Sequence, residues 1–241
     1  IIYIVIYSQE FNNGEADKII NGADRIYYND NKTFPSYIKF NSSFGKTADQ
    51  LLSEWQKTFK INYKLLNVEK DLIGLEHYKY QQYYDTIPIE WAIFKLHVKN
   101  GKINSFSGTI WTDIHPISSP SISGDMAVKI ALDVHKADLY MWQDSAEEAY
   151  LKIINKDQNA TYTPQPHLVI YKTNDRENLA YKLTIYSKRP LAKKDYYIDA
   201  NTGEIIDIIN KIQNADVQGT AVTKYSGTQT ITTDSYSGYY R

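Results

Sequence analysis

Any catalytic chemistry in this chain would have to start from its histidines. There are five, His77, His97, His115, His135 and His167, and there is no cysteine. A metal site or a nucleophile–base pair must therefore draw on imidazole, carboxylate and hydroxyl groups. None of the five stands in H-E-x-x-H, and no two lie four apart on one helix, the spacing that turns two imidazoles toward one zinc ion. Asp133 precedes His135 by two positions, which on a helix is the wrong face for a shared ligand. Each histidine reads as an ordinary surface or half-buried one. Neither G-x-S-x-G nor G-x-x-x-x-G-K-[ST] occurs, so a hydrolase elbow and a phosphate loop lack support. The carboxylates are scattered, and nothing points to a catalytic pair. Asp199-Ala200-Asn201-Thr202-Gly203-Glu204 opens like a calcium loop, but Gly203 occupies the fifth position, where a ligand belongs, and the twelfth is Asn210 rather than a bidentate Glu. The segment is better explained as a tight turn between two strands. The residues themselves offer no catalytic group, no cofactor-binding group and no metal ligand.

The elements that would hold such residues are legible in part. The chain has 241 residues, with 27 Lys and Arg against 28 Asp and Glu and a net charge of −1. That balance excludes a general electrostatic grip on nucleic acid or anionic membrane. No apolar run approaches the roughly 20 residues of a membrane-spanning helix. The absence of cysteine removes a disulfide scaffold. Tyrosine is abundant, at 22 residues, and suits half-buried sheet surface. Residues 1–9 begin with the apolar run Ile1–Tyr7 and turn abruptly polar at Ser8-Gln9. They read as the remnant of a signal peptide, with a buried N-terminal strand as the other reading.

Between 12 and 46 the chain is polar and punctuated, with short apolar islands at Ile26-Tyr27-Tyr28 and Tyr37–Phe40 that suggest strands. Thr47-Ala48-Asp49-Gln50 is a capping box, and Leu51, Leu52, Trp55 and Phe59 recur behind it at helical spacing. From Glu76 to Tyr84 the residues alternate, with Tyr78, Tyr80, Gln82 and Tyr84 on one side. Ile89 to Lys99 alternates again, with Ala92, Phe94, Leu96 and Val98 on one face. Asn100-Gly101 predicts a tight hairpin into a strand from Lys102 to Thr109. The Ser- and Pro-containing stretch Thr112 to Gly124 marks a subdomain boundary. A second helix starts at Ser123, its face made by Met126, Ala127, Ile130, Ala131 and Val134. A third carries Ser145-Ala146-Glu147-Glu148 as a capping box and runs to about Asn155. Four strands follow as an antiparallel meander: His167–Tyr171, Leu179–Ser187, Tyr196–Asp199 and Glu204–Asn210. The predicted class is α+β, two subdomains that are each an antiparallel sheet packed with helices, followed by an incomplete β segment.

Three stretches carry a resemblance. Leu75–Tyr84, then Ile87-Pro88-Ile89, then His97-Val98-Lys99-Asn100-Gly101 resemble the fungalysin/thermolysin propeptide motif. One departure is Asp85-Thr86, where that motif usually places a glycine before Ile-Pro. The second half resembles a PepSY domain in its second helix, in Tyr140-Met141-Trp142-Gln143, and in Leu168–Tyr171, Leu179–Leu183 and Tyr197–Ile206. Gln218-Gly219-Thr220-Ala221 through Tyr225–Thr228, with Tyr239-Tyr240-Arg241, is similar to the first strands of a mature thermolysin-like metalloprotease. The resemblance covers roughly residues 35–241.

It implies the prosegment of a secreted zinc metalloprotease zymogen, acting as intramolecular chaperone and as cleft-blocking inhibitor of a cognate catalytic domain. The implied organisation is a propeptide-like subdomain over 10–118, a PepSY-like subdomain over 119–216, and the start of the catalytic domain over 217–241. Zinc and calcium are then expected in the catalytic domain beyond Arg241, with none in this chain. The processing junction is expected at Asp216–Val217, with Asn214–Ala215 as runner-up, because Gln213-Asn214-Ala215-Asp216 is polar and cuttable and an apolar residue follows it. Two other readings remain: a stand-alone PepSY-type protease inhibitor, and a Tyr-rich surface or glycan-binding module.

Overall fold

Alternation of apolar and polar residues builds a sheet in the first half, as expected, and one helix closes over it. In the computed structural model, residues 9–29, 33–115, 119–173, 175–212, 216–223, 227–236 and 239–240 are described, those after 212 by their backbone alone. The contacts divide the chain into two compact units: residues 1–120 with 168–180, and residues 121–167 with 181–241. Strand far outweighs helix. The apolar N-terminal run lies outside the described residues.

The first unit holds β1 (Gln9–Asn12), α1 (Gly14–Ile19), β2 (Ala23–Tyr28), β3 (Tyr37–Phe40), α2 (Ala48–Phe59), β4 (Asn62–Lys70), β5 (Glu76–Tyr84), β6 (Ile87–Lys99) and β7 (Lys102–Gly108). The sheet path runs β1-β2-β3-β7-β6, with β5 on the other edge of β6 and β4 beyond β5. Thr47 caps α2 as the sequence requires. Its hydroxyl accepts from the Gln50 N–H, and the Gln50 side chain accepts from the Thr47 N–H. Leu51, Leu52 and Trp55 of α2 are buried with Ile26, Ile38, Phe94, Leu96 and Phe106 of the sheet in one apolar cluster. Asn100 and Gly101 both take positive φ, 52° and 73°, the geometry a two-residue hairpin needs. The turn that lacks the motif's glycine closes all the same, with Asp85 at φ 48° between the paired residues Tyr84 and Ile87. Asp tolerates that region better than most side chains.

β6 is bent at Trp91, which has φ 59°. Before the bend Ile89 pairs in parallel with Ile170 of β9 (His167–Lys172); after it, Phe94–Lys99 pairs antiparallel with β7. This parallel rung corrects the expectation of purely antiparallel sheets. Ile89, Ala92, Trp111 and Ile170 form a second small core around it.

The second unit holds α3 (Gly124–His135), β8 (Leu139–Tyr140), a 3-10 turn (Met141–Gln143), α4 (Ser145–Asn155), β11 (Leu191–Asp199) and β12 (Ile205–Asn210). β10 (Glu177–Arg189) enters it from Tyr181 onward. Ser123 caps α3 by accepting from the Met126 N–H. The expected face of α3 is only half correct: Ala127 and Ala131 are fully buried, while Met126 and Val134 are 47% and 51% exposed. α4 is capped by Asp144, not Ser145. The Asp144 carboxylate accepts from the Ala146 N–H, and Glu148 turns away to accept from the Tyr162 N–H and the Thr161 hydroxyl. A charged acceptor at the cap also complements the helix dipole, which favours Asp144 over the neighbouring serine.

Candidate functional site

The expected processing junction falls where a separate three-stranded sheet begins. β13 (Asp216–Thr223) pairs antiparallel with β14 (Gly227–Tyr236), and β14 pairs with β15 (Tyr239–Tyr240). Asp216 stands opposite Asp234 and Val217 opposite Thr233, the first two rungs of the hairpin. Residues 213–215, and with them the runner-up bond Asn214–Ala215, lie outside the described residues.

Asp199–Glu204 is a turn, as read from the sequence. The Asp199 carboxylate accepts from the Asn201 and Thr202 N–H groups, and the Gly203 N–H, at φ 78°, closes back onto the Asp199 carbonyl. Among the described residues no group of three or more His, Asp or Glu side chains is placed to hold a metal ion.

The histidines are not all ordinary. β5 and β6 place His77 directly opposite His97, and their Nδ1 atoms are 2.6 Å apart. His77 Nε2 lies 3.3 Å from the Asp71 carboxylate, and His97 Nε2 lies 2.8 Å from the Ser107 hydroxyl. A carboxylate only accepts, so His77 carries its proton on Nε2. Its bare Nδ1 then accepts from His97 Nδ1–H, and His97 Nε2 accepts from Ser107. Burial lowers the pKa of His97, with the neighbouring His77 and Lys95 adding to the effect. Burial opposes ionisation of Asp71 too, but hydrogen bonds from the Leu75 N–H, His77 and the Ile73 N–H outweigh it and leave that pKa lowered.

His135 sits in a second fixed arrangement. The Ser187 hydroxyl donates to the Pro190 carbonyl at 2.6 Å, so it accepts from His135 Nε2–H at 2.9 Å, and His135 Nδ1 accepts from the Tyr196 hydroxyl at 2.9 Å. The ring is held neutral. Burial lowers its pKa, with Lys194 contributing, and burial raises that of Tyr196 to about 12, with Tyr140 contributing. His115, largely exposed, faces Glu177, which also holds the buried Lys172 at 2.6 Å. His167 is exposed at the start of β9. The network residues Asp71 and Ser107 were missed at the sequence level, since nothing local links them to a histidine.

Among the described residues, five tyrosines are buried in cores. Tyr80, Tyr196 and Tyr197 are all at most 5% exposed, so they offer no stacking face to a glycan. What the first unit does expose is apolar edge. Among the described residues β4 pairs only with β5, and its Leu65, Leu66 and Val68 are 44–47% exposed. At the β4–β5 turn Leu72 and Ile73 stand out at 107% and 80%. On α4, Tyr150, Ile153 and Ile154 are likewise exposed.

Residues 61–110, which span β4 to β7, match the fungalysin/thermolysin propeptide motif. The chain is 23% identical over 238 residues to thermolysin of Alicyclobacillus acidocaldarius, covering 89% of this chain and 41% of that protein. It is 26% identical over 206 residues to bacillolysin of Bacillus amyloliquefaciens, covering 81% and 37%. To the extracellular elastase of Staphylococcus epidermidis it is 25% identical over 182 residues, covering 74% and 33%. The chain thus spans about two fifths of the length of the first relatives it matches. Among solved structures the Bacillus megaterium YpeB C-terminal domain aligns with a TM-score of 0.36 and 13% identity, over 88% of this chain and 92% of that one.

Proposed function

We propose that this chain, a thermolysin-family protease propeptide by the motif it carries and the relatives it matches, is the prosegment of a secreted zinc metalloendopeptidase zymogen. It assists folding of its catalytic domain and blocks the substrate cleft until it is cut away. The observation that carries this reading is the propeptide motif, matched over the continuous run from β4 to β7. In this reading residues 10–118 are the propeptide-like subdomain, 119–216 the PepSY-like subdomain, and 217–241 the start of the catalytic domain. Zinc and calcium belong to that catalytic domain.

Two physical features support a role in binding a partner protein. The edge of β4 that pairs with no other strand among the described residues, and the apolar turn at Leu72-Ile73, form the kind of surface that soluble chains normally cover. An extended edge also offers backbone hydrogen bonds to an incoming strand. Chaperoning follows from the same contacts, because a partner rich in long-range β pairing folds slowly and gains from a preformed surface.

Sequencing the coding region past Arg241 tests the zymogen reading. An H-E-x-x-H downstream supports it, and a stop codon there favours a stand-alone inhibitor instead. N-terminal sequencing of the mature enzyme tests the junction. A start at Val217 agrees with it, and a start upstream of Lys211 or downstream of Thr220 contradicts it.

A further inference from the structure

We propose that the chain Asp71–His77–His97–Ser107 is an acid-sensitive clasp that holds β5 against β6 at neutral pH and parts them when the histidine pair takes up a second proton. The argument rests on counting protons against acceptors. In the neutral pair each contact has one donor and one acceptor: His77 Nε2–H to Asp71, His97 Nδ1–H to His77 Nδ1, and the Ser107 hydroxyl to His97 Nε2.

One added proton is accommodated without movement. It enters at His97 Nε2, the Ser107 hydroxyl turns to accept, and the 2.6 Å contact still has one proton between its two nitrogens, which can sit on His77 Nδ1 and leave the His97 ring neutral. A second added proton has no such place. The one remaining bare nitrogen is the other Nδ1 of that contact, and protonating it sets two N–H groups and two positive rings against each other at that distance. The contact must open.

The surroundings bias where the opening falls. Glu69 of β4 stands opposite His77, and Asp71 caps the adjoining turn, so two carboxylates lie on that side of the pair. Lys95 of β6 pairs across to Lys79 of β5, and both disfavour positive charge on the pair. From β7, Ser105 stands opposite His97 and brings no charge. One strand further, Lys39 of β3 lies opposite Ser105, its ammonium held by Asn104. The burial that lowers the pKa of His97 acts in the same direction, by making its charged form costly. The clasp lies beside the Asp71–Leu75 turn, so opening it frees the β4–β5 turn as well as one rung of the sheet.

The intact chain tests this by imidazole NMR and by hydrogen exchange read peptide by peptide. The imidazole pair is expected to titrate as a coupled unit, in two macroscopic steps more than about one pH unit apart. Protection of the β5 and β6 peptides around the pair should fall at least tenfold, beyond the intrinsic change in exchange chemistry, as pH drops from 7.5 to 5. In His77→Gln, which leaves His97 with a neutral neighbour, that excess loss should disappear. Two independent single-site titrations, or an acid loss of protection that persists in His77→Gln, overturns the clasp. Should His77→Gln fail to fold, the wild-type NMR titration decides the matter by itself.

Discussion

Phe106→Ala removes the ring on which α2 rests. Phe106 is fully buried on β7, and its ring centroid lies 5.3 Å from Trp55 of α2, 5.5 Å from Phe34 and 5.7 Å from Phe94. Truncating a core Phe to Ala costs about 3–5 kcal/mol, the spread reflecting how well the site collapses. Here the neighbours are three rigid rings from three different segments, so collapse is poor and the upper part of that range is expected. Set against about 5–15 kcal/mol for a whole domain, this is a large fraction of the first unit's stability. Hydrogen exchange of the peptide covering α2 (Ala48–Phe59) reads it directly, because its protection depends on docking against this cluster. About 3–5 kcal/mol corresponds to exchange faster by roughly two to almost four decades. Phe106→Leu, which keeps most of the volume, should cost about 1–1.5 kcal/mol. An acceleration below tenfold in Phe106→Ala, or equal effects of Ala and Leu, would refute the view that this ring cluster holds the helix on the sheet.

Gln82→Leu should destabilise the first unit by about 1–3 kcal/mol in urea unfolding. The buried Gln82 amide makes two hydrogen bonds to the Trp111 backbone, at 2.6 and 2.9 Å, each worth about 0.5–1.5 kcal/mol net. Because the pKa of His135 is lowered in the fold, the unfolded chain binds more protons in mild acid. The stabilising contribution of a neutral His135 is therefore complete above about pH 6.5, its ordinary value, and is lost as pH falls through the lowered one. Hydrogen exchange of α3 and β11 measured across pH 7.5 to 5 should show that slope, and a flat profile contradicts it. Leu72→Asp combined with Ile73→Asp should weaken inhibition of the mature peptidase by about 10- to 100-fold, since each side chain forfeits part of the roughly 1.5–3 kcal/mol that full burial supplies. Urea midpoints should stay close to the parent's, because neither side chain is packed in the free chain.

Local signals carried the elements that local physics decides. The Thr47 capping box, the Asn100-Gly101 hairpin, the buried face of β6 and the Asp199–Glu204 turn all form as the residues require. α1 escaped notice because six residues with only Ala16 buried give no periodicity. β4 escaped because neither of its faces is buried, so no alternation is imposed on it. The parallel rung between Ile89 and Ile170 joins residues far apart in sequence, where no local pattern exists. The histidine pair was hidden by a register slip. Extending the rungs Tyr84–Ile87 and Tyr83–Pro88 without interruption would put Phe94 opposite His77. The irregularity between Gln81 and Tyr83, with the bend at Trp91, shifts the ladder by three residues and brings His97 there instead.

The central claim is that this chain restrains a metallopeptidase, and inhibition of that enzyme tests it most directly. The folded chain should be titrated into the mature peptidase proposed as its partner, with casein hydrolysis followed at neutral pH. The account predicts loss of activity at near-stoichiometric chain, a buried interface on the order of 1,000 Å² or more being ample for tight binding, and slow recovery as the chain is itself cut. Full hydrolysis in the presence of a hundredfold excess of folded chain would contradict it.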